Sequence, residues 1–171
     1  MGDPVLHLLV GPNGSGKSSL WTYVLEQELH LEFVNVDAIA ERRAELLTEP
    51  HSFVTETVFS HPSKVELVRS AVAAGYLVTV HVLAVPESLA VDRVGSRVEN
   101  GGHAVPDDKI RGRYGRLWAH VAAAIALAER TRVYDNTVAA KPFRLVAEFE
   151  RGARLWSDWP PWMPDELSDL H

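Results

Sequence analysis

Gly11-Pro12-Asn13-Gly14-Ser15-Gly16-Lys17-Ser18-Ser19 has the residue types, at the spacing, that hold a chain of phosphates. It fits the phosphate-binding pattern G-x-x-x-x-G-K-[ST]. The glycines let the backbone turn tightly enough for successive N–H groups to point into one concavity, and the N-terminus of a following helix adds its positive end. In this pattern Lys17 reaches the β- and γ-phosphates and the Ser18 hydroxyl holds Mg²⁺. Such a loop works only between a strand and a helix. The apolar run Val5–Val10 precedes it and reads as a buried strand; Leu20–Leu29 follows it and reads as a helix. A glycine-rich turn without a ligand would not need all of these in register. Gly11 to Ser19 is therefore expected to bind a nucleoside triphosphate, ATP, with Mg²⁺.

The next groups that could do chemistry are carboxylates at strand ends. Leu31–Asp37 reads as a short strand closing on Asp37, with a helix expected from Ala38 to Leu47. Ser52–Thr57 reads as another strand, carrying Glu56 and Thr57 at its end. In a parallel sheet, ligands gather at the carboxyl ends of the strands, so Asp37 and Glu56 are expected on the same edge as the loop. Asp37 could instead be a helix cap. A helix from Pro62 to Ala74, stopped by Gly75, leads into Tyr76–Val85, a near-continuous apolar run rich in β-branched residues and typical of a central parallel strand. That strand ends at Pro86 rather than at the Asp that a motor or switch NTPase uses to hold metal, which favours small-molecule phosphoryl transfer over a switch. His81 within it reads as a satisfied core histidine, and none of the eight histidines has metal-ligand spacing.

Arginines come next. A helix from Pro86 to Glu99 carries Arg93 and Arg97 one turn apart; Asn100-Gly101-Gly102-His103 ends it; and Pro106 opens another helix with Arg113 on the face of Ile110 and Leu117, and Arg116 beyond. An inward-facing cation needs an anionic partner, which an ion pair, a snorkelling contact or a phosphate would all supply. Thr131–Asn136 gives a further strand. Phe143–Phe149 alternates at strand period, and Arg151-Gly152 turns it into a hairpin. Trp156, Trp159 and Trp162 with their prolines are expected to pack as an irregular cover.

These elements alternate, which predicts an α/β fold: a P-loop NTPase- or kinase-like three-layer sandwich on a mostly parallel sheet, in a single domain over 1–171, with an arginine-bearing helical lid at about 86–117 and a C-terminal β-hairpin and Trp/Pro-rich tail at about 142–171. The 171 residues suffice for a real core, and the formal net charge of −6 disfavours nucleic acid as a partner. There is no apolar run of membrane-spanning length and no signal-peptide pattern, and the absence of cysteine fits a cytoplasmic setting.

Several segments together resemble the zeta toxin family of P-loop kinases, in particular its short bacterial members. They are Asn35-Val36-Asp37; Glu56-Thr57-Val58-Phe59-Ser60; Arg93-Val94-Gly95-Ser96-Arg97 through Gly101-Gly102-His103-Ala104-Val105-Pro106; Ile110-Arg111-Gly112-Arg113-Tyr114; and Tyr134-Asp135-Asn136. The resemblance implies that Asp37 is the general base for an acceptor hydroxyl and that Glu56 and Thr57 position the acceptor, Glu56 helping Ser18 arrange Mg²⁺. It implies that Arg97 and Arg113 contact the triphosphate, with Arg93 and Arg116 in the lid, and that Asn136 lies near the nucleotide base. The implied small-molecule acceptor is a sugar nucleotide such as UDP-N-acetylglucosamine, and the implied partner an antitoxin protein. Val58 stands where a second threonine is common, and Gly112 where an arginine often precedes Arg113. Another sugar nucleotide, a nucleoside or nucleotide, or an antibiotic therefore stays open as acceptor, as does a non-catalytic ATP-binding regulatory module.

Overall fold

The strand runs marked by β-branching and period-two alternation all form strands of one sheet in the computed structural model, which describes residues 3–34, 39, 51–99 and 105–171. β1 (Val5–Val10) lies inside the sheet between β3 (Phe53–Thr57) and β4 (Leu77–Ala84), both parallel to it. β2 (Glu32–Phe33) adds to the far side of β3, and β5 (Arg130–Asp135) to the far side of β4, again parallel. β6 (Arg144–Glu150) and β7 (Ala153–Ser157) close that side as the antiparallel hairpin. The order is β2-β3-β1-β4-β5-β6-β7. The hairpin turn places Arg151 (φ 49°) and Gly152 (φ 80°) in the left-handed region, as a tight two-residue connection requires. The expected strand up to Asp37, the helix from Ala38 to Leu47 and the turn at Asn100–His103 lie outside the described residues.

Side-chain alternation sorts the two faces. Leu6, Leu8 and Val10 with Val78, Val80 and Val82 point into the larger core cluster, which Val68, Leu117 and Val121 complete. Val68 belongs to α2 (Ser63–Ala73), and Leu117 and Val121 to α4 (Asp107–Ile125). On the opposite face, Leu9, Val54, Leu83 and Tyr134 meet Leu20 and Leu25 of the helix that follows the loop. This helix, α1, runs from Lys17 to Leu29 and contains a π-helical segment at Trp21–Leu25. Helix, sheet, helix is the expected three-layer sandwich. α3 (Glu87–Glu99) leaves the end of β4 and leads towards α4.

The aromatic tail does cover the core. Met163 and Leu167 are buried, Trp159 and Trp162 pack against them, and Leu167 sits on the short helix α5 (Asp165–Ser168). Trp156 is instead on the exposed side of β7, its Nε1 donating to Glu148 at 3.1 Å. His81 is a core histidine, as its position suggested. Its Nε2 lies 3.1 Å from His7 Nδ1, and its Nδ1 lies 3.4 Å from the Tyr134 hydroxyl. Burial lowers His81 to about 3 and His7 to about 4, with the Arg132 guanidinium adding to both. No helix among the described residues is long and apolar enough to cross a membrane.

Candidate phosphoryl-transfer site

The carboxyl ends of the parallel strands come into register, Val10 opposite Thr57 and Ala84 opposite Asp135. Above this edge a cleft of about 810 Å³ opens, and Gly14, Gly16, Lys17, Ser18, Glu56 and Thr57 are among the residues that line it. The loop turns back on itself through Ser15 N donating to Pro12 O at 3.2 Å, and the helix begins with Leu20 N donating to Gly16 O at 2.9 Å. Gly16 has φ 97°, and a Cβ there would collide with the Asn136 amide, so glycine is required twice over.

Lys17 is half-buried, and its Nζ donates to the carbonyls of Gly11 (3.1 Å) and Pro12 (3.0 Å). Burial lowers it from 10.5 to about 8; the Glu56 carboxylate works against this shift and the Arg97 guanidinium adds to it. The Ser18 hydroxyl donates to both Glu56 oxygens, at 3.1 and 3.3 Å. This contact exists because β3, not β2, adjoins β1. Asp135, the carboxylate at the end of β5, is already engaged: it accepts from Thr137 N and Oγ1 and pairs with Arg144 at 3.2 Å. Glu56 is thus the carboxylate among the described residues that faces the loop.

The arginines separate into different roles. Arg97 and Arg113 line the cleft, and neither has a hydrogen-bond or ion-pair partner among the described residues. α4 carries Arg113 there because Tyr114 donates its hydroxyl to Val85 O at 2.9 Å and Arg111 pairs with Glu87 at 2.7 Å. Arg93 also borders the cleft, but its guanidinium donates to Gly14 O (3.4 Å) and Asn136 O (2.9 Å). Arg116 is exposed and does not line the cleft. Asn136 is buried, with Nδ2 donating to Ser15 O at 2.8 Å and Oδ1 accepting from Phe143 N at 3.3 Å, so both ends of its amide are occupied by backbone. Of the loop, Asn13, Gly14, Gly16, Lys17, Ser18 and Ser19 face the cleft, while Gly11 and Pro12 supply the carbonyls that hold Lys17. Asp37 lies outside the described residues.

Val58, Phe59 and Ser60, legible in the sequence only as part of the family motif, form the wall beyond Glu56 together with His61 and Lys64, which sequence reasoning missed. Phe59 is fully buried at φ 66°, a left-handed backbone that a bulky residue rarely adopts and that tends to occur at functional sites. Its N–H reaches back to Thr57 Oγ1 at 3.4 Å.

The site's chemistry suits a polyanion and a hard cation. Among the described residues, Lys17, Arg97, Arg113 and Lys64 share the cleft with one carboxylate, Glu56, and burial lowers Lys17 to about 8 despite it. A hydroxyl beside a carboxylate is the small oxygen set with which proteins hold Mg²⁺ when phosphates supply further ligands.

A phosphate loop after the first strand, a mostly parallel sheet and cleft-lining arginines on helices that leave its edge together define the P-loop kinase fold. Solved structures agree with this. An AvrRxo1-ORF1:ORF2 complex crystallised with ATP matches with TM-score 0.68 at 15% identity, covering 90% of this chain and 60% of that one. A chain from the PezAT chromosomal toxin–antitoxin system of Streptococcus pneumoniae matches with TM-score 0.57 at 15% identity, over 85% of this chain and 72% of that one. A gluconokinase from Sinorhizobium meliloti 1021 matches with TM-score 0.50 at 16% identity, over 81% and 86%. The chain spans about three-fifths of the length of the AvrRxo1 chains it matches. No curated protein matches it in sequence. The family model described as Zeta toxin matches residues 38–158, and the chain belongs to the zeta toxin family.

Proposed function

We propose that the protein is an ATP- and Mg²⁺-dependent kinase that transfers the γ-phosphoryl group to a hydroxyl of a small metabolite, a sugar nucleotide such as UDP-N-acetylglucosamine. The observation that carries the reading is the pairing, in one cleft, of Lys17, Arg97 and Arg113, the two arginines without a partner among the described residues, with the Ser18–Glu56 contact. Phosphoryl transfer needs this division: cations for the moving charge, and oxygen ligands that would hold a metal ion beside the phosphates. The loop amides and Lys17 hold the triphosphate in line. Ser18 and Glu56 hold Mg²⁺, which when bound supplies neutralisation of phosphate charge. Asp37 takes the proton of the acceptor hydroxyl; the acceptor oxygen forms the new P–O bond as the bond to the ADP oxygen breaks. Thr57 positions the acceptor. Helices α3 and α4 act as the lid, bringing Arg97 and Arg113 over the transferring group.

The family and the toxin–antitoxin neighbours support a second expectation, an antitoxin partner that masks the nucleotide site. The deciding experiment incubates the purified protein with γ-labelled ATP and, separately, UDP-N-acetylglucosamine, nucleosides, nucleotides and aminoglycosides. Label in the sugar nucleotide, lost with Asp37→Ala, is the expected result. Label in another acceptor moves the substrate assignment, and tight ATP binding without any transfer makes the protein a regulatory module.

A further inference from the structure

We propose that Arg93 and Asn136 are positioning residues that lock the phosphate loop into its ligand-ready shape, and that Arg93 is not itself a phosphate ligand. The proposal rests on the reading of the loop as a polyphosphate site, not on the transfer reaction. Amide groups that converge on a ligand leave their carbonyls pointing outward, and an outward carbonyl without a partner lets the peptide turn over and removes an amide from the nest. Here those carbonyls are held. Gly14 O accepts from Arg93 Nη1 at 3.4 Å, and Ser15 O accepts from Asn136 Nδ2 at 2.8 Å. The two holders are joined, because Arg93 Nη2 donates to Asn136 O at 2.9 Å. Asn136 is fixed in turn by its own N–H on Ala84 O (3.2 Å) and by Phe143 N on its Oδ1 (3.3 Å), which also settles which end of the amide faces the loop.

Packing makes the same assembly rigid. A Cβ on Gly14 would stand 2.8 Å from Ala90 O and 3.2 Å from Arg93 Cβ, so the first half of α3 is seated directly on the loop. A Cβ on Gly16 would strike the Asn136 amide. The glycines therefore serve close approach as well as turning. Both terminal nitrogens of the Arg93 guanidinium donate to backbone carbonyls, which fixes its plane against the loop, whereas Arg97, one turn further along α3, has no partner among the described residues.

The test is titration of ATP and ADP, each with Mg²⁺ and without any acceptor, into the full chain and into Arg93→Met, Asn136→Ala, their double variant and Arg97→Met, with Arg93→Lys as the variant that keeps the charge. Arg93→Met and Asn136→Ala should weaken ATP and ADP by a similar factor of about tenfold or more, the size of one lost charged or buried hydrogen bond, leaving the ratio of the two affinities unchanged. The double variant should lose less than the product of the two singles, because both residues hold one loop. Arg97→Met should change the ratio, and Arg93→Lys should recover part of the loss. Amide hydrogen exchange at residues 14–16 should quicken in Arg93→Met while the sheet amides stay protected, which separates a local effect from general destabilisation. Weakening of ATP alone would make Arg93 a γ-phosphate ligand and overturn the proposal, as would wild-type affinity for both nucleotides in folded Arg93→Met. Absence of phosphoryl transfer, by contrast, would touch only the proposed reaction.

Discussion

The charge on Lys17 should make nucleotide affinity depend on pH between about 7 and 9. Lys17 is lowered to about 8, chiefly by burial, with Arg97 adding to the effect and Glu56 opposing it. Bound triphosphate places anionic oxygens around the ammonium and holds it protonated well above that value. The free protein therefore binds ATP fully only while Lys17 carries its proton, a fraction of about 0.9 at pH 7 and about 0.1 at pH 9 for a group with this pKa. The dissociation constant for Mg-ATP should accordingly rise about tenfold between pH 7 and pH 9, each pKa unit being worth about 1.4 kcal/mol. Near pH 8 each binding event should take up about half a proton, by the same linkage. The phosphates are already ionised across this range, since their last pKa is about 6, so the proton belongs to the protein. Isothermal titration calorimetry in buffers of different ionisation enthalpy reads both quantities. Affinity that stays flat from pH 7 to pH 9 with no proton uptake would show that Lys17 is not depressed, and would refute the electrostatic account of the cleft.

The same depression has an opposite sign in the empty protein. The unfolded chain keeps a proton on Lys17 up to about 10.5 while the folded one releases it near 8, so stability rises with pH across that window. Lys17→Met should therefore raise the melting temperature of the nucleotide-free protein at pH 7 and lose this advantage above about pH 10.5, by differential scanning calorimetry, even as ATP binding disappears. His81, lowered to about 3 by burial, gives the acid-side counterpart: the unfolded chain takes up a proton below 6.5 that the folded one refuses. Urea unfolding should find the protein about 2 kcal/mol less stable at pH 5 than at pH 7 from this histidine, and His81→Phe should remove that share of the slope while His7, lowered to about 4, keeps its own. Glu56→Gln should raise the Mg²⁺ concentration for half-maximal transfer about tenfold or more while the affinity for ATP without metal changes little, since the carboxylate holds metal rather than phosphate. Unaltered Mg²⁺ dependence would remove Glu56 from the metal site.

The loop, the strands and the hairpin were legible because each rests on local pattern: a fixed spacing of Gly, Lys and Ser, β-branched runs, and a tight turn at Arg151-Gly152. Sheet order has no such local signature. Chain order alone would set β2 beside β1, yet β3 is inserted between them, and only that insertion brings Glu56 within 3.1 Å of Ser18, thirty-eight residues earlier in the chain. Asn136 shows the same limit. Its position just past a strand end places it at the correct edge, but nothing nearby announces that its amide is spent on Ser15, 121 residues away, rather than being available to a nucleotide base.

The arginines carry this argument furthest. Helical spacing treats Arg93 and Arg97 as equivalent, one turn apart on one flank, and a lid that grips phosphate with both would be the simplest reading. What separates them is how closely Gly14 lets α3 approach. With no Cβ on Gly14, the helix settles until Arg93 can bond the loop carbonyl, and the same settling leaves Arg97 lining the cleft beyond the last point of support. On the proposed reading, one residue holds the loop in shape while its neighbour has no partner among the described residues, and a site preformed for a triphosphate that also closes over it would need both. A single loop glycine, required for its missing side chain, thus decides which arginine bonds the loop carbonyl and which faces the cleft beyond it.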